Sequence, residues 1–337
     1  MNPKQSSSSC VLNDSADDCI VILKGLKQRE NKYRVGDYLG RFAEQVPAPP
    51  KSQVDVQCRY QMCQWSYSIA DYCKLKTDTV ASAINILDRF LDATPCALTD
   101  QSVFQLAAMT SMYMSVKLNE VNGLGMDCMV AFSQGSFSAR QYETMEKIIV
   151  ETCKWYMNPP TANQIGHELV LWMCGQDNIV PFDTLLDLVN LQVEAAVYDY
   201  YLVTAAPSLV AVAAFLNAVE GMGVHTPQEQ RRIRNKVIST IEMSRSESQL
   251  LPKVQQRLYE LISDSFTFSF DHETISQPLV VPKVSPPYEN QHTSSKEARP
   301  ISPDSVSVSQ SAFQSEPEIS TNWNISDQAQ TLILSLR

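Results

Sequence analysis

A lysine at position 117 closes a segment, 105–117, in which apolar and small residues fall on every side rather than along one stripe. That pattern reads as a helix surrounded by other helices. An ammonium ending such a helix needs a partner, because an unpaired charge stripped of water costs several kcal/mol or shifts its pKa. Glu146 is the candidate acid, on a helix opened by the S-x-x-Q pair Ser138 and Gln141. The residues alone leave two readings open: an internal ion pair tying two helices together, or two polar groups inside an apolar rim held for another chain. A second pair, Arg59 and Asp88, lies on helices whose apolar stripes must face one another. A bidentate guanidinium–carboxylate contact there fixes helix register.

Neither pair is a catalytic constellation. The four histidines, at 167, 225, 272 and 292, stand beside no nucleophile that they could activate, and the chain has no G-x-x-x-x-G-K-[ST] or G-x-G-x-x-G phosphate loop. Nine cysteines lack metal-ligand spacing: Cys58, Cys63 and Cys73 are five and ten apart with no histidine near. The reading is therefore a non-enzyme without metal or cofactor. A net charge of −10 argues against a nucleic-acid surface, and the one basic run, Arg231-Arg232-Ile233-Arg234-Asn235-Lys236, reads as a solvated helix face. An odd number of unpatterned cysteines and no signal peptide fit a reducing compartment. No apolar run approaches a membrane span, so no membrane partner is expected.

The elements that must position these residues are helices throughout. The Ser-rich start predicts a loose arm over 1–25. Residues 26–52 follow as one N-terminal helix, 28–42, and a connector fixed by Pro47, Pro49 and Pro50. From Val54 the spacing Cys58, Met62, Trp65, Ile69, Tyr72 marks one helical face. Thr77 is a candidate N-cap for the next helix, which carries Val80, Ile84, Leu87 and Leu91. The helix that contains 105–117, running from about Asp100 and ended by Asn122-Gly123-Leu124-Gly125, a short element at 126–132 and the helix after Ser138 complete a unit at 53–158. A second unit, 159–265, repeats the plan: a capping box at Thr161 and Gln164, a helix over 182–200, a small-residue apolar helix after Pro207, a box at Thr226 and Glu229, and a last helix over 251–262. The composition predicts an all-α chain of two similar five-helix domains, with disorder at both ends. The tail, 271–337, turns to Ser, Pro, Gln and Glu. It carries Ser285-Pro286 and Ser302-Pro303, possible sites for proline-directed kinases; Thr226-Pro227 has the same form at a helix start.

The run from Trp65 through Ile84-Asn85-Ile86-Leu87-Asp88-Arg89-Phe90-Leu91, with Gln105-Leu106-Ala107-Ala108, Ser115-Val116-Lys117-Leu118-Asn119-Glu120 and Met145-Glu146, resembles a cyclin box. The family's five near-invariant positions map onto Arg59, Asp88, Leu106, Lys117 and Glu146, with every residue type kept. The second unit resembles the C-terminal cyclin fold, through Ala205-Ala206-Pro207-Ser208 and the helix after it. The resemblance spans roughly 30–265.

It implies two tandem cyclin-fold domains and a regulatory subunit that binds and activates a cyclin-dependent protein kinase in cell-cycle control, in nucleus and cytoplasm. Lys117 and Glu146 would then contact the kinase around its C-helix, which Met114, Leu118, Val150, Trp155 and Met157 would receive; Arg59, Asp88 and Leu106 would be structural. The patch with which many cyclins dock substrate and inhibitor peptides would fall on Cys58, Gln61, Met62, Trp65 and Gln105. Here Gln61 stands where an apolar residue is usual, forfeiting on the order of 1–2 kcal/mol of burial, so such docking is expected to be weakened. The R-x-x-L and K-E-N degradation signals are missing from the N-terminal arm, and L-x-C-x-E is missing too, which leaves the subclass open. The alternative, a cyclin-fold adaptor in transcription without kinase activation, calls for a basic face and a zinc ribbon that this acidic chain lacks.

Overall fold

The structure, a computed structural model, describes residues 7–45, 53–175 and 181–268. These form twelve α-helices and no strand: α1 (Ser7–Glu30), α2 (Tyr38–Gln45), α3 (Val56–Cys73), α4 (Thr77–Ala93), α5 (Gln101–Asn119), α6 (Met126–Phe132), α7 (Ala139–Thr152), α8 (Ala162–Cys174), α9 (Phe182–Tyr198), α10 (Pro207–Gly221), α11 (Pro227–Thr240) and α12 (Arg245–Phe268). Part of the proline connector (46–52) and the tail with Ser285 and Ser302 lie outside the described residues.

Two hydrophobic cores organise the helices. The first gathers α2 to α7 around α5, whose residues from Val103 to Val116 are buried almost without interruption. The second gathers α8 to α12 around α10, buried from Ser208 to Leu216. Helix starts are capped as their sequences allow. Asp55 accepts from the Cys58 N–H at 2.8 Å, Asp100 from Ser102, and reciprocal boxes close Ser138 with Gln141 and Thr226 with Glu229. The box expected at Thr161 is only half made. Thr161 accepts from Gln164, but the Gln164 carboxamide donates instead to Asp78 at 2.9 Å and ties α8 to α4.

Three expectations are corrected. The expected loose arm over 1–25 is helical from Ser7, where α1 begins, and Cys19, Leu23 and Leu26 lie in the second core; residues 1–6 lie outside the described residues. Its end is locked there. Lys27 Nζ reaches Glu30 at 2.7 Å, Ser208 at 2.9 Å and Glu247 at 2.6 Å, while Glu30 accepts the Ser208 N–H at the start of α10. Second, 28–42 is not one helix. The chain leaves α1 through a 3-10 turn, Asn31–Tyr33, and passes so near α4 that a Cβ on Gly36 would sit 2.9 Å from Asp92 Oδ1. The Gly36 N–H donates to Asp92 there, and α2 starts afresh at Tyr38. Third, the last helix starts at Arg245 rather than 251 and runs through Pro252. No helix among the described residues is long and apolar enough to cross a membrane.

Candidate functional site

The last turn of α5 is where the buried helix reaches the surface. Lys117 and Leu118 are exposed there, whereas Val116 is fully buried. The Lys117 ammonium makes a hydrogen-bonded ion pair with Glu146 of α7, with side-chain exposures of 39% and 26%. It also stands 4.7 Å above the Tyr113 ring, which adds a cation–π contact. The pair is closed within the chain, as the internal reading has it, and it is also partly open to solvent. Beside it Glu143, Glu146, Lys147, Val150, Glu151 and Trp155 line a cleft of about 370 Å³.

Trp155 owes its position to a turn. After α7 the backbone enters the left-handed region at Lys154 (φ 54°) and Trp155 (φ 63°), and the Trp155 N–H returns to the Val150 carbonyl at 3.0 Å. Non-glycine residues occupy that region at a cost. Here it leaves a large indole 79% exposed at the edge of the cleft. Leu118, at 53% exposure, adds a second apolar group on the neighbouring helix end. Val150 and Met157 are half-buried against the first core. Met114 does not belong to this rim: it is 3% exposed, inside the core. A helix buried all round gives no phase from which to tell its inner from its outer side, so residues near Lys117 in sequence could not be sorted.

Arg59 and Asp88 form the expected bidentate pair, Nε–Oδ1 2.9 Å and a terminal nitrogen to Oδ2 2.8 Å, with side chains about 4–5% exposed. Burial disfavours the Arg59 cation, yet the adjacent Asp88 carboxylate outweighs it and lifts the guanidinium pKa well above its ordinary value. The pair does more than set register within the first unit. The third arm of Arg59 donates to the Val197 carbonyl at 2.9 Å, at the end of α9, and Tyr38 donates to Asp88 at 2.8 Å. It thus joins α2, α3, α4 and the second unit, a role whose partners are too distant in sequence to be anticipated. Leu106 is fully buried in the first core.

The residues of the docking patch divide. Gln61 is exposed, while Cys58, Trp65 and Gln105 are half-buried on the first core. Met62 is 8% exposed and belongs to the core, so it offers a docking peptide little surface. Among the described residues no three His, Cys, Asp or Glu side chains gather as metal ligands would.

The fold compares with that of a viral cyclin from herpesvirus saimiri solved by X-ray crystallography, with a TM-score of 0.54 and 16% identity over 72% of this chain and 99% of that one. The architecture is thus that of the cyclin fold in two copies. Residues 22–158 match the family described as the cyclin N-terminal domain. Cyclin-B1-1 of Arabidopsis thaliana is 26% identical over 195 residues, covering 57% of this chain and 41% of that protein. Cyclin-O protein B of Xenopus laevis is 26% identical over 223 residues, covering 64% and 59%. The chain is thus similar to cyclins, with residues 22–158 matching their N-terminal domain. It spans less than two thirds of either relative's own length.

Proposed function

We propose that this chain is a regulatory subunit, not itself an enzyme, that binds and activates a cyclin-dependent protein kinase in cell-cycle control, in nucleus and cytoplasm. The observation that carries the reading is the Lys117–Glu146 pair, solvent-accessible beside a cleft edged by Val150 and Trp155. A helix laid across that cleft would bury the Trp155 indole and Leu118, while its polar groups replace water around the pair. Apolar contact supplies affinity, and the paired charges reject helices that cannot satisfy them. Activation follows if the bound helix belongs to the kinase and is held in its active position. The subunit then shifts the kinase population by as much as its affinities for the two states differ. Docking of substrate or inhibitor peptides is a weaker, separate contact, with Gln61 on the surface and Met62 withdrawn.

The test is affinity capture from the native cell with the full chain, followed by kinase assay of the eluate. Lys117→Ala and Glu146→Ala should each lose the kinase while keeping the helical circular-dichroism signal. Retention of an active kinase by both variants would refute the proposal. A fluorescent fusion confined to one compartment would correct the localisation.

A further inference from the structure

The turn that carries Trp155 also contributes Lys154 and Tyr156 to a second pocket, of about 280 Å³, that the kinase reading does not use. It is built where the 3-10 turn after α1, the end of α4 and the turn after α7 meet. Four of its lining residues are cationic: Lys32, Arg34, Arg89 and Lys154. The one carboxylate among them, Asp92, is already engaged by Arg41 and by the Gly36 N–H. In a chain of net charge −10, four positive groups converge here around one carboxylate that is already engaged.

Arg89 is the sharpest sign. It is only 9% exposed, and its Nε donates to Asn85 at 2.9 Å, but one terminal nitrogen is buried with no hydrogen-bond partner. No carboxylate pairs with it among the described residues, and burial pulls its pKa below the ordinary value. The Tyr33 ring beneath it, 4.9 Å from Cζ, is a weak substitute for an anion. Buried charges are retained where something pairs with them. Lys32 is held nearby over the Tyr156 ring at 5.4 Å, and Lys154 is turned by its left-handed backbone. Arg34 donates to Asn31 at 3.3 Å and stands 3.5 Å from Glu247, at the long end of hydrogen-bond distance in both.

We propose that this pocket binds a phosphate monoester dianion, carried on a serine of a peptide. A dianion with three acceptor oxygens matches several cations converging from different elements, whereas a lone carboxylate would leave most of them uncompensated. The chain supplies a candidate donor in its own Ser285-Pro286 and Ser302-Pro303 sites; free phosphate in solution offers the same chemistry.

The assay is fluorescence anisotropy with the full chain and a labelled peptide of residues 298–306, with and without phosphate on Ser302. The phosphopeptide should bind saturably, at least tenfold more tightly than its unmodified form, and salt should weaken it. Lys32→Glu and Lys154→Glu replace exposed residues and should each weaken binding tenfold or more with unchanged melting temperature. Lys253→Glu, on α12, should change it little. Chain already phosphorylated at Ser285 and Ser302 should bind the added peptide less well, if its own tail occupies the site. Inorganic phosphate that binds with the same lysine dependence, while the phosphopeptide gains nothing over it, would assign the pocket to free phosphate and overturn the peptide source. No saturable binding of either, or binding indifferent to Lys32 and Lys154, would overturn the site itself. No kinase enters this assay, so its failure leaves the proposed function untouched.

Discussion

Replacing Arg59 by alanine tests how far the two units depend on one buried ion pair. The substitution leaves the Asp88 carboxylate 4% exposed with the Tyr38 hydroxyl at 2.8 Å as its remaining side-chain donor, and it leaves the Val197 carbonyl with only the weak Cys63 thiol donor at 3.7 Å. Removing one partner of a buried pair costs about 3–5 kcal/mol, since the other charge stays behind uncompensated. Against a total stability of about 5–15 kcal/mol that is a large fraction. At about 2–4 °C per kcal/mol for a protein of this size class, the melting temperature should fall by roughly 6–20 °C. Far-UV circular dichroism during heating, together with urea titration, measures both quantities. The double replacement Arg59→Leu with Asp88→Leu removes both charges and should cost less than Arg59→Ala alone. A loss below about 1 kcal/mol for Arg59→Ala would refute the reasoning. So would a double replacement whose cost equals the sum of the two single ones, because coupled neighbours do not add.

Lys117→Ala removes a pair of the same chemical kind at the surface, and the same melts should shift by less than about 1 kcal/mol. Leu23→Ala, in the helix expected from sequence to be loose, should cost about 2–5 kcal/mol by chemical denaturation, since Leu23 is 1% exposed in the second core. Glu247 makes α1 docking pH-dependent. Burial alone would raise its pKa, but the bonds from Lys27 and Ser244 outweigh that and hold it below the ordinary 4.5. A depressed carboxylate stabilises the fold above its unfolded pKa, and that contribution is lost as pH falls through the folded value. Hydrogen exchange of α1 amides should therefore accelerate selectively below the ordinary carboxylate range, and Glu247→Gln should flatten the profile.

What the sequence made legible follows from where the physics is local. Caps, boxes and helical stripes are written in neighbouring residues, so α3 to α11 fall close to expectation, as do Ser138 with Gln141 and Thr226 with Glu229. Helix α1 carried a readable face, Cys19, Leu23 and Leu26, but its core lies in the second unit, behind more than a hundred intervening residues. A Ser-rich opening outweighed that face. Pro252 hid the first turns of α12 for a similar reason, since the breaker rule is local and the tertiary packing that overrides it is not. Gln164 had two acceptable partners, and Asp78, distant in sequence, took its side chain from the local box. The cationic pocket escaped altogether, because Lys32, Arg89 and Lys154 share no spacing.

The two ion pairs show why residue type alone could not assign roles. Arg59–Asp88 and Lys117–Glu146 each join a cation on one helix to an acid on another, and each is closed in the free chain. Burial separates them. A pair about 4–5% exposed is expensive to open, so it serves as a clamp, and its third bond extends that clamp to the second unit. A pair exposed by 39% and 26% contributes about 0–1 kcal/mol, so opening it costs a binding partner almost nothing. On the proposed reading this is what lets one surface be stable alone and receptive to a kinase. The partner exchanges a weak internal contact for its own polar groups and gains the Trp155 and Leu118 surface besides. If the Lys117–Glu146 pair were instead essential to the fold, alanine at either position would lower stability by several kcal/mol, and loss of kinase capture would then report unfolding rather than recognition.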